Sequence, residues 1–216
     1  MCVGLSFITV SEKIEKDLGI ISDGVLRTSY NILPTQHSYV IRNQNHDQLD
    51  YITWGMVPYF SNNGQNDGKL AHARAENIFA SSSFRIPIRQ RRCLVVVDSF
   101  YDWVIEADGS KSAYRFFHPN NELLCLAGVW DFWLKDDYKI MSFSIITSKD
   151  DKITNMRMPL PLIDKTTRSK WLSEISLTEI DTILQGASVE ALSKHKISAS
   201  SLEEKANGLE MHVKQD

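Results

Sequence analysis

The chain has 216 residues, 43% of them hydrophobic, and a formal net charge of -3. This length and composition suit one compact domain, with or without a C-terminal appendage. No run of about 18 apolar residues occurs, and the N-terminus lacks a basic region followed by an apolar stretch, so we expect neither a membrane span nor a signal peptide. Three widely separated cysteines, without a metal-binding spacing, indicate a reduced cytoplasmic protein with free thiols.

The N-terminal third contains extended segments and one short helix. Residues 2–9 are predicted to be extended, and Gly4 permits a close backbone approach there. Residues 11–18 are predicted to form a helix capped by Ser11. Residues 30–36 contain a proline that disfavours helix, so they are predicted to be a loop or a strand end.

The next segments predict a hairpin and the region that follows it. Tyr39–Arg42 and Gln48–Trp54 are strand-like runs separated by polar residues, as in a β-hairpin. Residues 54–60 (WGMVPYF) are predicted to be an exposed aromatic segment, and residues 61–69 a polar loop. A helix is predicted to begin within residues 72–79.

A continuous apolar run begins at residue 93, as in a strand buried on both faces. Asp98 and Asp102 follow it, at the end of a core strand, where carboxylates are held by backbone donors or delivered to a catalytic site. Three further strands are predicted over Ala113–Phe117, Leu123–Trp130 and Met141–Thr147. The many β-rich runs predict an antiparallel or mixed sheet, curled towards a barrel.

The C-terminal part is predicted to be helical from Lys165. Ser176 and Glu179 have capping-box spacing for a helix that Gly186 closes. The polar residues from about Ser198 are expected to fray. We divide the chain into a core over residues 1–172 and a helical extension over residues 173–216.

Two features of the sequence are candidates for a chemical or binding role. Cys2 is most simply a small buried hydrophobe, but after removal of Met1 it would carry an α-amine and a thiol on adjacent carbons. Their reference pKa values are about 7.7–8.0 and about 8.5, and such a pair condenses with an aldehyde to form a thiazolidine. The second feature is a cluster of four arginines within residues 85–92, which by itself is typical of a solvated face.

Separated motifs give the chain a resemblance to a known family. They are Met1-Cys2, YNxxPTQ at 30–36, WGxxP at 54–58, ARxE at 73–76, SFR at 83–85, RRCLVxxxxFYxW at 91–103, AGxW at 127–130, and FxIIT with RMP at 143–147 and 157–159. In this order they resemble the SRAP family (SOS-response-associated peptidase domain) over about residues 1–172. Members of that family cross-link to abasic sites in single-stranded DNA.

The resemblance implies a fold, an activity and a partner. We expect a single α+β domain with a mainly antiparallel, barrel-like β core and flanking helices. We expect a monomeric sensor that forms a thiazolidine between Cys2 and an abasic site in single-stranded DNA, after autocatalytic removal of Met1. No metal or organic cofactor is implied. The implied catalytic residues are Cys2, Asn31, His72, Asp102 and Asn155, and the implied DNA-binding residues are Pro34, Trp54, Arg74, Arg85, Arg89 and Arg157.

This sequence departs from the family pattern at four positions. Gly4 stands where an arginine is usual, and Asp102 stands for a glutamate. Asn155 replaces a histidine and can only hydrogen-bond and orient. His72 replaces the asparagine before the ARxE motif, so we expect it to take over part of the proton transfer.

Alternative functions remain open at this point. The same fold could act as a peptidase that cleaves ahead of Cys2. It could also bind single-stranded or modified DNA without covalent chemistry, which the changes at Asp102 and Asn155 favour. Trp54 could instead be a core residue, and His72 a packed or solvated one.

Overall fold

The computed structural model describes residues 2–22, 24–150, 156–202 and 206–215. The strands are β1 (Gly4–Phe7), β2 (Ser29–Ile32), β3 (His37–Arg42), β4 (Asn45–Trp54), β5 (His72–Arg74), β6 (Arg92–Val97), β7 (Ser99–Ile105), β8 (Lys111–Phe117), β9 (Leu124–Lys135), β10 (Tyr138–Asp150), β11 (Met156–Pro159) and β12 (Ser193–Ile197). The α-helices are α1 (Ser11–Leu18), α2 (Pro87–Gln90), α3 (Lys165–Leu172) and α4 (Leu177–Gly186). Short 3-10 turns cover Ala75–Asn77, Val189–Ala191, Ala199–Leu202 and Leu209–His212.

Five strands close into a barrel in the order β10-β4-β3-β6-β9, with β9 pairing back to β10. The β4–β10 pair is parallel and the other pairs are antiparallel. β5 and β11 extend the barrel sheet by pairing with the C-terminal end of β10. The predicted α+β fold with a barrel-like, mainly antiparallel core is therefore confirmed.

The apolar run at the start of β6 makes this strand a fully buried part of the barrel. All six residues of Arg92–Val97 are buried, and β3 and β9 cover the two edges of the strand. A side chain at Gly128 on β9 would place its Cβ 2.9 Å from the Cys93 sulfur. Because a contact that short forces atoms to move, glycine is what lets β9 lie this close to β6.

A second, antiparallel sheet has the order β12-β8-β7-β1-β2. Gly4 on β1 lies opposite Tyr101 on β7, so the N-terminal segment is held in the middle of this sheet. β12 was not predicted. It extends this sheet from within residues 173–216, a part of the chain predicted to be helical.

The helix boundaries confirm some of the predicted signals. Ser176 and Glu179 form the predicted capping box of α4, but Gly186 is the last helical residue and Ala187 follows it. The prediction that Ser11 caps α1 was wrong, because Val10 is the N-cap and makes no side-chain cap bond. Among the described residues, no helix is both long and apolar enough to cross a membrane.

The arginine cluster does not form one solvated face. Arg92 is 2% exposed and donates to main-chain carbonyls of Ile88, Arg89, Trp171 and Ser173. It therefore ties α2 and the end of α3 to the barrel. Arg91 pairs with buried Asp131 at 3.1 Å, whereas Arg85 and Arg89 are exposed.

Candidate active site around Cys2

Cys2 lies at the entrance to β1, beside β7. The Val3 N–H donates to the Tyr101 carbonyl at 2.8 Å, and the Cys2 thiol is 3.5 Å from the Gly4 carbonyl oxygen. Only 2% of Cys2 is exposed. Burial, reinforced by the charge of Asp102, raises the pKa of the Cys2 thiol well above its ordinary value. The sulfur is therefore a protonated thiol at neutral pH, and it needs a base to become a nucleophile.

Asp102 is the carboxylate that β7 places next to Cys2. It is fully buried, and its Oδ1 accepts a hydrogen bond from the Trp103 N–H at 2.8 Å. Burial raises the pKa of Asp102 to about 6. A carboxyl with that pKa exchanges protons readily near neutral pH, as a general acid or base must.

His72 also reaches Cys2, from the barrel side. It lies on β5, within hydrogen-bonding reach of the Cys2 backbone, and its ring contacts Trp54 edge-on at 5.6 Å. Burial lowers the pKa of His72 to about 4, so the ring is neutral at pH 7. Of the two groups, Asp102 is better matched to proton transfer at neutral pH, and His72 is better suited to hydrogen bonding.

The burial of Trp54 contradicts its predicted role in DNA binding. Its side chain is fully buried, and its indole N–H donates to the Ala71 carbonyl at 2.9 Å. A base cannot stack on a ring that has no exposed face, so Trp54 is a core residue that supports His72. Residues 54–57 are all buried, and only Tyr59 and Phe60 expose large aromatic side chains as predicted for this segment.

Asn31 lies directly over Gly4. A Cβ at position 4 would be 2.7 Å from Asn31 Oδ1, so any other residue there would displace Asn31. Glycine at position 4, where the family pattern has an arginine, leaves room for Asn31 in this position. The Asn31 side-chain amide also donates to the Ala206 carbonyl at 3.0 Å, so the C-terminal tail reaches this part of the site.

The tail (residues 206–215) is packed rather than frayed. The side-chain oxygen of Asn207 accepts hydrogen bonds from the Tyr30 N–H at 2.7 Å and the Asn31 N–H at 3.1 Å. Met211 is fully buried, and the His212 ring packs 5.1 Å from Tyr30. The expectation of fraying was wrong for these residues, and no sequence signal linked Asn207 to a strand about 175 positions away.

Replacing Asn207 by alanine should lower the free energy of unfolding by about 1 kcal/mol, because two main-chain donors on β2 lose their acceptor. Asn207→Asp keeps an acceptor oxygen and should stay close to wild type. Urea denaturation of the two variants checks this. Equal stability of Asn207→Ala and wild type would show that water replaces the Asn207 side chain without loss of stability.

The YNxxPTQ motif ends in a tight turn. The Gln36 N–H donates to the Leu33 carbonyl at 3.1 Å, with Pro34 and Thr35 at the corner. Thr35 has φ 79°, which a β-branched residue rarely adopts. Thr35 is held there by its N–H bond to the Trp54 carbonyl at 2.8 Å. Pro34, a predicted DNA contact, is half-buried in this strained turn next to the site.

Two of the predicted DNA-binding arginines lie on strands that flank β10. Arg74 pairs in register with Thr147 from β5, and Arg157 pairs with Lys149 from β11. Arg74 is exposed, whereas Arg157 donates to Glu76 at 2.8 Å and to the Thr147 carbonyl at 3.1 Å. Both are therefore placed at the end of β10 that adjoins His72.

The remaining predicted site residues are not placed beside Cys2 by the structure. Arg89 lies on α2 and Arg85 just before it, and α2 packs against β6 and β9 rather than carrying any part of the Cys2 site. Asn155 and Met1 lie outside the described residues.

The chain is similar to several known proteins in sequence and in fold. The abasic site processing protein YoqW of Bacillus subtilis is 29% identical over 156 residues, covering 70% of this chain and 69% of its own length. The abasic site processing protein HMCES of Gallus gallus is 27% identical over 214 residues, covering 82% of this chain and 63% of its own. A crystal structure of a protein from Bacteroides thetaiotaomicron has a TM-score of 0.84 and 25% identity, over 99% of this chain and 100% of that one. The family model for SOS response associated peptidase (SRAP) matches residues 1–201, and the chain belongs to that family.

Proposed function

We propose that this protein processes abasic sites in single-stranded DNA by forming a covalent thiazolidine through Cys2, once Met1 has been removed. The relatives named above are abasic site processing proteins, which supports abasic-site DNA as the substrate. The observation that carries the chemical step is the pairing of a buried Cys2 with a buried carboxyl whose pKa is raised to about 6.

The first step opens the sugar. An abasic deoxyribose is mostly a closed hemiacetal, and only the ring-opened aldehyde reacts. Asp102 in its carboxylate form takes the proton of the anomeric hydroxyl, the bond from C1′ to the ring oxygen breaks, and that oxygen takes up a proton from water, which opens the ring. The neutral α-amine of Cys2 then adds to the aldehyde carbon to give a carbinolamine.

The second step closes the new ring. The carbinolamine loses water, helped by a proton that Asp102 returns, and leaves an imine. The Cys2 thiol gives its proton to a base and its sulfur adds to the imine carbon, while the nitrogen takes up a proton. One water is lost overall and no oxidant is needed.

His72 and Asn31 fit supporting roles. The neutral His72 ring beside the Cys2 backbone can orient the terminal residue without competing for the proton. Asn31, fixed over Gly4, presents a side-chain amide close to the reacting segment. We therefore propose that His72 orients Cys2 and does not carry out the proton transfer that the sequence led us to expect.

The exposed Arg74 is proposed as the main phosphate contact. Arg74→Ala should weaken binding of undamaged single-stranded DNA and make the slope of log K against log salt shallower by about 0.7, the share of one released counterion. Fluorescence anisotropy at several salt concentrations measures this. Lys111→Ala, at an exposed lysine on β8, is the control and should keep the wild-type slope. An unchanged slope for Arg74→Ala would remove Arg74 from the DNA interface.

A denaturing gel tests the proposed function itself. Purified protein is incubated with single-stranded DNA carrying one abasic site, and with the same strand carrying thymine there. We expect a heat-resistant shifted band with the abasic strand only. Binding of both strands in a native gel, without any adduct in the denaturing gel, would instead support a non-covalent DNA-binding module.

A further inference from the structure

Four side chains form an aromatic and basic cluster on one face of the β3–β4 hairpin. His37 and Tyr51 have ring centroids 5.2 Å apart, and those of Tyr39 and Tyr51 are 4.8 Å apart. The Arg27 guanidinium is 5.3 Å from the Tyr51 ring centroid, and the main-chain N–H of Arg27 donates to the Tyr39 hydroxyl at 2.8 Å. We refer to Arg27, His37, Tyr39 and Tyr51 as the hairpin cluster.

The strand register explains why these side chains meet. His37 lies opposite Thr53, and Tyr39 lies opposite Tyr51. Because alternate residues of a strand point to the same face, all of them stand on one side of the hairpin. The His37 ring also lies 3.3 Å from the Thr53 hydroxyl.

Open clefts lie on both sides of the hairpin cluster. One, of about 660 Å³, is lined by Ile21, Leu26, Arg27, His37, Tyr39 and Tyr51 among others. The other, of about 560 Å³, shares His37 and Tyr51 and adds Thr53, Asn66, Lys139 and Met141. Two cations, Arg27 and Lys139, thus lie in clefts that meet at the His37–Tyr51 pair.

The four side chains of the hairpin cluster differ in their exposure to solvent. Arg27 and His37 are exposed, Tyr51 is half-buried and Tyr39 is buried. Burial and then the charge of Arg27 lower the pKa of His37, so its ring is neutral at pH 7. A flat neutral ring and a flat guanidinium, both backed by tyrosines, are the surfaces on which unpaired bases stack.

Along the chain, the strand residues of the cluster follow the Asn31 segment of the Cys2 site. Asn31 lies at the end of β2, the strained Leu33–Gln36 turn follows, and His37 begins β3 directly after it. The turn is fixed to the core by main-chain bonds between Thr35 and Trp54 and between Trp54 and Gln36. A DNA strand leaving the site over this turn would meet His37 first.

We propose that the hairpin cluster is a second binding site for single-stranded DNA, in which an unpaired base flanking the lesion stacks on His37 and Arg27. The proposal rests on the proposed function for the identity of the polymer. It replaces the stacking role once expected of Trp54, which is buried.

Binding of undamaged, fluorescently labelled oligothymidylates of about 5 and about 20 nucleotides tests this site without covalent chemistry. Wild type should bind the strand of about 20 nucleotides more tightly than the strand of about 5. The difference in affinity should exceed what the larger number of binding positions on the longer strand explains. His37→Ala and Arg27→Ala should each weaken binding of the long strand by about 5- to 150-fold, the range for loss of one stacked base. Arg27→Lys keeps the charge but not the flat face, so it should recover only part of the loss.

His46→Ala is the matched control, because His46 is exposed at the opposite end of the same hairpin. It should bind like wild type. The rate of adduct formation on a strand of about 5 nucleotides with a central abasic site is measured in parallel and should not change in His37→Ala. If His37→Ala and Arg27→Ala bind long strands like His46→Ala, the second site is excluded, even where the adduct forms normally. If they lose the short-strand adduct as well, the cluster belongs to the reaction site and is not a separate one.

Discussion

Cys2→Ala should lose the heat-resistant adduct completely while still binding single-stranded DNA. Alanine at position 2 keeps the α-amine, so an imine with the aldehyde can still form, but no sulfur is present to close the ring. Borohydride should therefore trap Cys2→Ala on abasic DNA as a reduced amine. The measurement is a denaturing gel with and without borohydride, at equal protein concentration.

The other cysteines supply the comparison for this result. Cys93 and Cys125 are buried in the barrel, and burial raises the pKa of both thiols. Cys93→Ala and Cys125→Ala should keep the adduct, provided that circular dichroism shows them folded. A heat-resistant adduct formed by Cys2→Ala would mean that another residue is the nucleophile.

Asp102→Asn should slow adduct formation by about 10²- to 10⁴-fold, the usual contribution of a general acid or base. Asparagine is close in size and can still accept the Trp103 N–H, so the loss should fall on proton transfer rather than on folding. Asp102→Glu restores the carboxyl and should recover most of the rate if the buried site accepts one more methylene. Single-turnover kinetics on abasic single-stranded DNA measure each variant.

The pH dependence of the rate of adduct formation shows whether Asp102→Asn loses proton transfer or only disturbs packing. Since burial raises the pKa of Asp102 to about 6, the carboxylate fraction grows between pH 5 and 7. The wild-type rate should rise across this interval with an inflection near pH 6, and then rise further as the amine loses its proton near its reference pKa of about 7.7–8.0. Asp102→Asn should lack the inflection near pH 6. An inflection that persists in the variant would assign it to another group.

Local sequence signals were sufficient where one strand or helix carries its own pattern. The apolar start of β6, the strand-like runs of β3 and β4, and the capping box of α4 each reflect burial or hydrogen bonding within a few residues. The structure places Cys2, just before β1, within electrostatic reach of Asp102 on β7, because β1 and β7 are neighbours in one sheet.

Long-range pairing decided what the sequence could not predict. His72–Arg74 looks like the start of a helix, but pairing with β10 holds it as a strand before a single 3-10 turn. β12 is short and largely polar, and it is a strand because β8 offers an edge. The burial of Trp54 depends likewise on packing against β5, which lies well beyond its own motif.

Intact mass spectrometry of the protein–DNA adduct tests the central claim most directly. The proposed thiazolidine predicts a mass equal to the protein without Met1 plus the abasic strand minus one water, and peptide mapping that places the DNA on Cys2. An adduct that retains Met1, or one whose DNA maps to a lysine, would contradict the proposed chemistry.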